Sequence, residues 1–76
     1  MQKTIYKKLY DTRTATLIKK FTSGAFGDPR GYEETLYRTE DGFYFLYVFG
    51  GDDSPYPTED LLRMGKAKAA DWLREH

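Results

Sequence analysis

A chain of 76 residues without cysteine can form one small domain, but it excludes a disulfide framework and a thiolate metal site. Its formal net charge of zero argues against an overall attraction to nucleic acid. No apolar run approaches the roughly 20 residues of a membrane span, and the N-terminus lacks the apolar segment of a signal peptide. We therefore expect a single domain over residues 1–76, in a reducing cytoplasm and without membrane association.

The first predicted elements along the chain are two strands, over residues 3–10 and 14–21, each rich in β-branched or aromatic residues. Asp11-Thr12-Arg13 between them has turn chemistry, because an Asp side chain can accept a hydrogen bond from its own downstream backbone. The register depends on the loop length and stays open. A three-residue loop pairs Leu9 with Leu17 and Ile5 with Phe21, whereas a two- or four-residue loop pairs Lys7 with Ile18.

Residues 22–32 form an irregular segment, since they contain three glycines and one proline. Asp28-Pro29-Arg30-Gly31 fits a β-turn with proline at its second position. The glycine spacing is not that of a phosphate-binding loop, because no Lys-Ser/Thr pair follows and no helix begins there. Phe26 is expected to pin this segment to the core.

The strongest signal in the chain is a β-hairpin over residues 35–49. Residues 35–39 and 43–49 are rich in β-branched and aromatic residues, and Glu40-Asp41-Gly42 between them has the composition of a type I turn followed by a glycine bulge. This loop pairs Arg38 with Tyr44 and Leu36 with Leu46.

The register assigns the side chains of this hairpin to two faces. Both faces are rich in apolar or aromatic residues, so both need cover. One face carries Leu36, Arg38, Tyr44, Leu46 and Val48. The other carries Tyr37, Phe43, Phe45, Tyr47 and Phe49.

The C-terminal part follows Gly50-Gly51, which end the strand, and an acidic, proline-containing loop over residues 52–58. Residues 59–76 allow two interpretations. One is a long helix capped by Thr58; the other, which we favour, is a short strand over 59–64 and a helix that begins at Gly65, where glycine is tolerated as an N-cap. In either case one apolar stripe holds Ala69, Trp72, Leu73 and Met64, with Trp72 as the main core anchor.

Four segments together resemble the small bacterial proteins of prophages and other mobile elements. They are YDTRTA at 10–15, ETLYRT at 34–39, the pattern Gly-x-Tyr-Phe-Leu-Tyr-x-x-Gly-Gly at 42–51, and Ala69-x-x-Trp72-Leu73. The chain departs from that family in Arg63, where a proline is usual, in Gly65, where a hydroxyl cap is usual, and in a shorter 52–58 loop. The resemblance implies no catalytic residues. It implies a genetic context in which small proteins, including anti-CRISPR proteins, inhibit host defence by binding.

The predicted fold class is α+β: a mainly antiparallel sheet of four or five strands with one C-terminal helix packed on one face. The order of the strands is left open. One helix of about ten residues, about 15 Å long, can cover only one face of such a sheet. We therefore expect the other face to stay open unless the glycine-rich segment folds over it.

The sequence gives no support for catalysis, a cofactor or a metal site. Ser23 and Ser54 lie in loops without a recognisable base, and His76 is expected to fray. Glu33 and Glu34 are adjacent, so they point to opposite faces of a strand. The acidic residues around 52–60 lack the alternating ligand spacing of a calcium loop.

Protein binding is the first functional hypothesis, because an exposed aromatic face usually marks an interface. The partner is another protein or a second copy of the chain, which makes a homodimer possible. The candidate contact residues are those of the aromatic faces and of the acidic loop: Tyr37, Arg38, Tyr44, Tyr47, Asp52 and Asp53.

The alternative hypothesis is a single-stranded nucleic-acid-binding protein, in which aromatic and basic side chains on a strand stack bases and neutralise phosphates. The zero net charge and the acidic middle of the chain argue against it. The candidate residues are Tyr6, Lys8, Tyr10, Lys19 and Lys20.

Overall fold

The computed structural model describes residues 1–5, 7–24 and 27–76. It has the α+β fold class that the sequence predicts. The predictions that fall on Tyr6 and Phe26 lie outside the described residues. The elements are β1 (Gln2–Ile5), β2 (Lys8–Asp11), β3 (Thr16–Ser23), β4 (Tyr32–Arg38), β5 (Tyr44–Gly50), β6 (Asp60–Met64) and α1 (Lys66–Glu75).

Strands β3 to β6 form a four-stranded antiparallel sheet in sequential order, while β1 and β2 form a separate two-stranded hairpin. We call β1–β2 the N-terminal hairpin and β4–β5 the central hairpin. The helix α1 packs on one side of the four-stranded sheet, which we call the helix side. The N-terminal hairpin packs on the opposite side, which we call the hairpin side.

The central hairpin has the predicted loop and register. The Thr39 amide donates a hydrogen bond to the Phe43 carbonyl at 2.7 Å, and the Gly42 amide donates to the Thr39 carbonyl at 3.0 Å. Gly42 has a φ of 87°, the left-handed conformation that a glycine bulge requires. Arg38 lies opposite Tyr44 and Leu36 opposite Leu46, as predicted.

The helix side of the sheet carries one apolar core. Leu36, Leu46 and Val48 are buried there against Ala69 and Trp72 of α1. The helix begins at Gly65 after β6, so the strand-then-helix interpretation is confirmed. Trp72 is buried as expected.

One member of the predicted helix stripe is misplaced. Leu73 is 38% exposed. The core stripe of this short helix is narrower than predicted and consists of Ala69 and Trp72.

The hairpin side carries a second apolar core, and this corrects the expectation of an open aromatic face. Tyr10 of β2 packs edge-on against Phe45, with ring centroids 5.5 Å apart, and both residues are buried together with Leu61. Ile5 and Ala15 pack against the same cluster. The N-terminal segment therefore covers much of the face that one helix cannot reach.

The same finding overturns the predicted pairing of the first two strands. Residues 3–10 are not one strand, because the chain reverses before β2 and Lys7 has a φ of 65°. Ile5 pairs with Lys8, so β1 folds back on β2, and β3 pairs with β4 instead. Among the described residues, neither the pairing of Leu9 with Leu17 and Ile5 with Phe21 nor that of Lys7 with Ile18 forms. The predicted Asp11 turn is present, with the Arg13 amide 2.9 Å from Asp11 Oδ1.

A close backbone contact joins the end of β5 to the loop before β4. Asp28 to Gly31 form the predicted β-turn, closed by the Gly31 amide on the Asp28 carbonyl at 2.9 Å. The Gly51 amide donates to the Gly31 carbonyl at 2.9 Å, and the Asp53 amide donates to the Pro29 carbonyl at 2.8 Å. A Cβ on Gly51 would lie 2.3 Å from the Pro29 oxygen, so this contact requires glycine.

Truncation of the Tyr10 ring should detach the N-terminal hairpin. We expect Tyr10→Ala to cost about 3–5 kcal/mol, the usual effect of removing a large buried aromatic side chain. Urea denaturation measures the change. The control is Leu9→Ala, since Leu9 is 53% exposed and its truncation should change stability by about 0.5 kcal/mol or less. Equal effects of the two variants would contradict the packing described.

The Gly51 contact gives a second stability prediction. Gly51→Ala should destabilise the protein by about 1–3 kcal/mol, because the added methyl group meets backbone atoms that cannot rotate away. The comparison variant is Gly65→Ala, where a Cβ meets open space. Gly65→Ala should lower the free energy of unfolding by about 1 kcal/mol or less, because it affects only the helix cap. Thermal unfolding of both variants tests the difference, and a neutral Gly51→Ala would contradict the close approach.

Candidate functional site

One end of the hairpin side carries exposed aromatic surface. Phe45 on this side is fully buried, whereas Phe49, four residues further along β5, is 39% exposed. Tyr47 between them is half-buried, and its ring lies 5.7 Å from that of Phe49. The cover that the N-terminal hairpin gives to Phe45 therefore does not extend to Phe49.

The strand register places Tyr47 and Phe49 on a sheet face to which three strands contribute. Thr22 of β3, Glu33 of β4 and Phe49 of β5 are direct cross-strand partners. Partners of this kind point to the same face of a sheet. The next cross-strand row on that face holds Lys20, Thr35 and Tyr47. We use the name Phe49 surface for six residues on and beside these two rows: Lys20, Thr22, Glu33, Tyr47, Phe49 and the adjacent Glu59.

Two carboxylates belong to the Phe49 surface. The Tyr47 hydroxyl donates a hydrogen bond to Glu59 Oε2 at 2.7 Å. On the other flank, Lys20 Nζ lies 3.3 Å from Glu33 Oε2. Burial, the hydrogen bond to Glu59, and the charges of Glu59 and Glu33 raise the pKa of Tyr47 to about 12. Both carboxylates thus act on the same phenol.

A cleft of about 640 Å³ adjoins the Phe49 surface. The sheet contributes Thr22, Glu33 and Phe49 to its lining. The turn at 28–31 and the loop after β5 contribute further groups, among them Asp28 and Asp52. The backbone contact between Gly51 and Gly31 therefore joins two parts of the cleft lining.

The six residues predicted to bind protein do not form one surface. Tyr37 stacks on Phe45 with ring centroids 5.2 Å apart. Arg38 and Tyr44 are cross-strand partners on the helix side, where Tyr44 packs against the core. The remaining three are closer to the Phe49 surface: Tyr47 belongs to it, Asp52 lines the cleft, and Asp53 is exposed in the same loop.

The residues predicted to bind nucleic acid are not assembled for that role. Tyr10 is only 2% exposed, so its ring cannot stack a base. Lys8 forms an ion pair with Asp41 at 2.5 Å and lies over the Phe43 ring. Lys19 and Lys20 are adjacent in β3, and adjacent strand residues point to opposite faces. Tyr6 lies outside the described residues.

The sequence prediction missed a polar cluster beneath the C-terminal end of α1. Glu34 is 8% exposed, and its carboxylate accepts hydrogen bonds from Trp72 Nε1 at 3.0 Å and from the Tyr56 hydroxyl at 2.5 Å. His76 Nε2 lies 3.3 Å from the same carboxylate. The His76 ring also stacks on Trp72, with centroids 4.6 Å apart.

This cluster corrects the expectation that His76 frays. The sequence does contain one signal for this cluster. The alternation of side chains along the strand places Glu34 on the same face as Leu36, which is the face of the core. A carboxylate at a core position requires buried donors, and the indole of Trp72 is one. Sequence alone could not place Tyr56 and His76 beside Glu34, because one lies in a loop and the other lies beyond a helix end.

Comparison with known proteins identifies no relative: no family model, no curated protein and no solved structure matches the chain. The resemblance to mobile-element proteins therefore stays a prediction.

The described part of the chain holds no group of three or more His, Asp or Glu side chains that could bind a metal ion. Within residues 1–5, 7–24 and 27–76, no helix has the length and apolar character to cross a membrane.

The Glu34 cluster predicts a loss of stability at alkaline pH. Burial and the hydrogen bond to Glu34 raise the pKa of Tyr56 to about 12. An unfolded tyrosine ionises near pH 10, so the folded state holds this proton more tightly. Its contribution is complete below about pH 10 and is lost as the pH rises through about 12.

Spectroscopic titration of tyrosinate checks this prediction. Wild type should contain phenols that ionise near pH 12, and Tyr56→Phe should remove one of them. Tyr47→Phe serves as the matched comparison, because the pKa of the Tyr47 phenol is also raised to about 12. A Tyr56→Phe variant with an unchanged titration curve would contradict the buried contact.

Proposed function

We propose that this protein is a non-enzymatic protein-binding module whose contact site is the Phe49 surface. The observation that carries the proposal is the exposure of Phe49 beside the cleft, on a sheet face where Phe45 is fully buried. A large aromatic side chain held on a flat sheet and bordered by polar groups is typical of an interface. The adjoining cleft provides a concave edge for a partner.

The charge of the site favours a different protein over a second copy of the chain. Glu33, Glu59, Asp28 and Asp52 bring four carboxylates to the surface and its cleft, against the lysine Lys20. A symmetric dimer through this patch would place the same carboxylates opposite each other. Like charges in an interface disfavour association, so the partner should be a protein that is basic at its contact site.

The setting that we propose follows from the resemblance to mobile-element proteins. In that setting the chain acts in the cytoplasm as an inhibitor of host defence, as anti-CRISPR proteins do. It would act by occupying a surface of a defence protein. A site made of rigid strand residues suits such a role, since little conformational entropy is lost on binding.

Capture by tagged protein from a bacterial lysate tests the proposed contact site. Phe49→Ala should reduce recovery of the partner at least about tenfold, because truncating a central interface aromatic costs roughly 2 kcal/mol or more. The control is Leu9→Ala, which removes exposed apolar surface outside the site. Circular dichroism confirms that both variants are folded.

Light scattering across a concentration series distinguishes the two kinds of partner. We expect a monomer at low and at high salt. Partner capture that Phe49→Ala and Leu9→Ala reduce equally would contradict the proposed site. If the protein forms a dimer that Phe49→Ala dissociates, the partner at this site is a second copy of the chain and not a different protein.

A further inference from the structure

We propose that the Phe49 surface binds an arginine side chain of the partner, which would lie on the Phe49 ring between the carboxylates of Glu33 and Glu59. This inference rests on the proposed function and specifies the chemistry of the partner. A guanidinium group suits the site because it is planar, stacks on aromatic rings, and pairs with carboxylates through two parallel hydrogen bonds.

The two carboxylates lie on either flank of the exposed Phe49 ring. Glu33 is the direct cross-strand partner of Phe49, so their Cβ atoms are about 5 Å apart. On the other flank, Glu59 is held by the hydroxyl of Tyr47, the ring next to Phe49. A cation above Phe49 would therefore meet a carboxylate on each side.

The electrostatic field at the Phe49 surface is negative. Burial is the largest cause of the raised pKa of the Tyr47 phenol, and the negative charges of Glu59 and Glu33 raise it further. Such a field opposes a new negative charge and favours a positive one. Asp28 and Asp52 in the lining of the adjoining cleft extend the acidic surface away from the sheet.

The Phe49 surface already holds a cation of its own, the ammonium group of Lys20. Lys20 Nζ lies 3.3 Å from Glu33 Oε2, with the lysine side chain 51% exposed. An ion pair this exposed is weak, so an incoming guanidinium can displace it. Lys20 is therefore a competitor for the partner's arginine, and its removal should strengthen binding.

The test uses short peptides and nuclear magnetic resonance titration of the labelled protein. The three probes are acetyl-Gly-Ser-X-Ser-Gly-amide with X as arginine, lysine or citrulline. Citrulline keeps the planar shape of arginine without its charge. We expect the arginine peptide to bind most tightly and to shift the amide signals of Glu33, Phe49 and Gly50. The citrulline peptide should bind at least about tenfold more weakly.

Variants of the protein then separate the contributions of the site. Glu33→Gln and Glu59→Gln should each lower the affinity for the arginine peptide roughly fivefold, as expected for a partly exposed ion pair. Lys20→Gln should raise that affinity by a factor of about two to five. The matched control is Glu40→Gln, which removes the same charge from an exposed residue of the central hairpin loop and should change nothing.

Two results would overturn the arginine proposal. One is equal affinity for the arginine and citrulline peptides. The other is binding of the arginine peptide that Glu33→Gln and Glu59→Gln leave unchanged. If either occurs while Phe49→Ala still abolishes capture of the partner, the arginine contact fails and the proposed function stands. If Phe49→Ala also leaves capture unchanged, the proposed function fails as well.

Discussion

The central hairpin has apolar side chains on both faces, and the rest of the structure depends on covering both. On the helix side Leu46 and its neighbours are buried by Trp72 of the only helix in the described part of the chain. A helix of ten residues cannot also reach the opposite side. The N-terminal residues therefore fold back as a hairpin and bury Phe45 beneath Tyr10. The three-layer arrangement follows from the burial that the two faces require.

The helix layer is fixed by a buried carboxylate as well as by apolar packing. Burial of Glu34 is costly unless donors surround it. The indole of Trp72 and the hydroxyl of Tyr56 are those donors, and the His76 ring at the end of the same helix lies 3.3 Å from the carboxylate. Each contact relieves the same buried charge, so the end of α1 and the loop before β6 are tied to β4 together. This explains why the final residue packs against the sheet.

The sequence predicted what local patterns encode and missed what distant parts of the chain decide. The turn at Gly42 and the alternation around it were sufficient for the register of the central hairpin. No glycine or proline marks the chain reversal at Lys7. The alternating pattern of residues 3–10 therefore led to the prediction of one continuous strand. Phe49 was assigned to the correct face, but its exposure depends on where the N-terminal hairpin ends, and no local pattern contains that information.

The position of the Phe49 surface beside the Gly51 contact reconciles an exposed aromatic residue with a rigid site. Phe49 directly precedes the two glycines through which β5 meets the turn at 28–31. Hydrogen bonds from the amides of Gly51 and Asp53 to that turn hold both parts of the cleft lining in place. The carboxylate of Glu59 is also held, by the hydroxyl of Tyr47. A partner that meets groups already in position loses little entropy in ordering them, so a small surface can bind selectively.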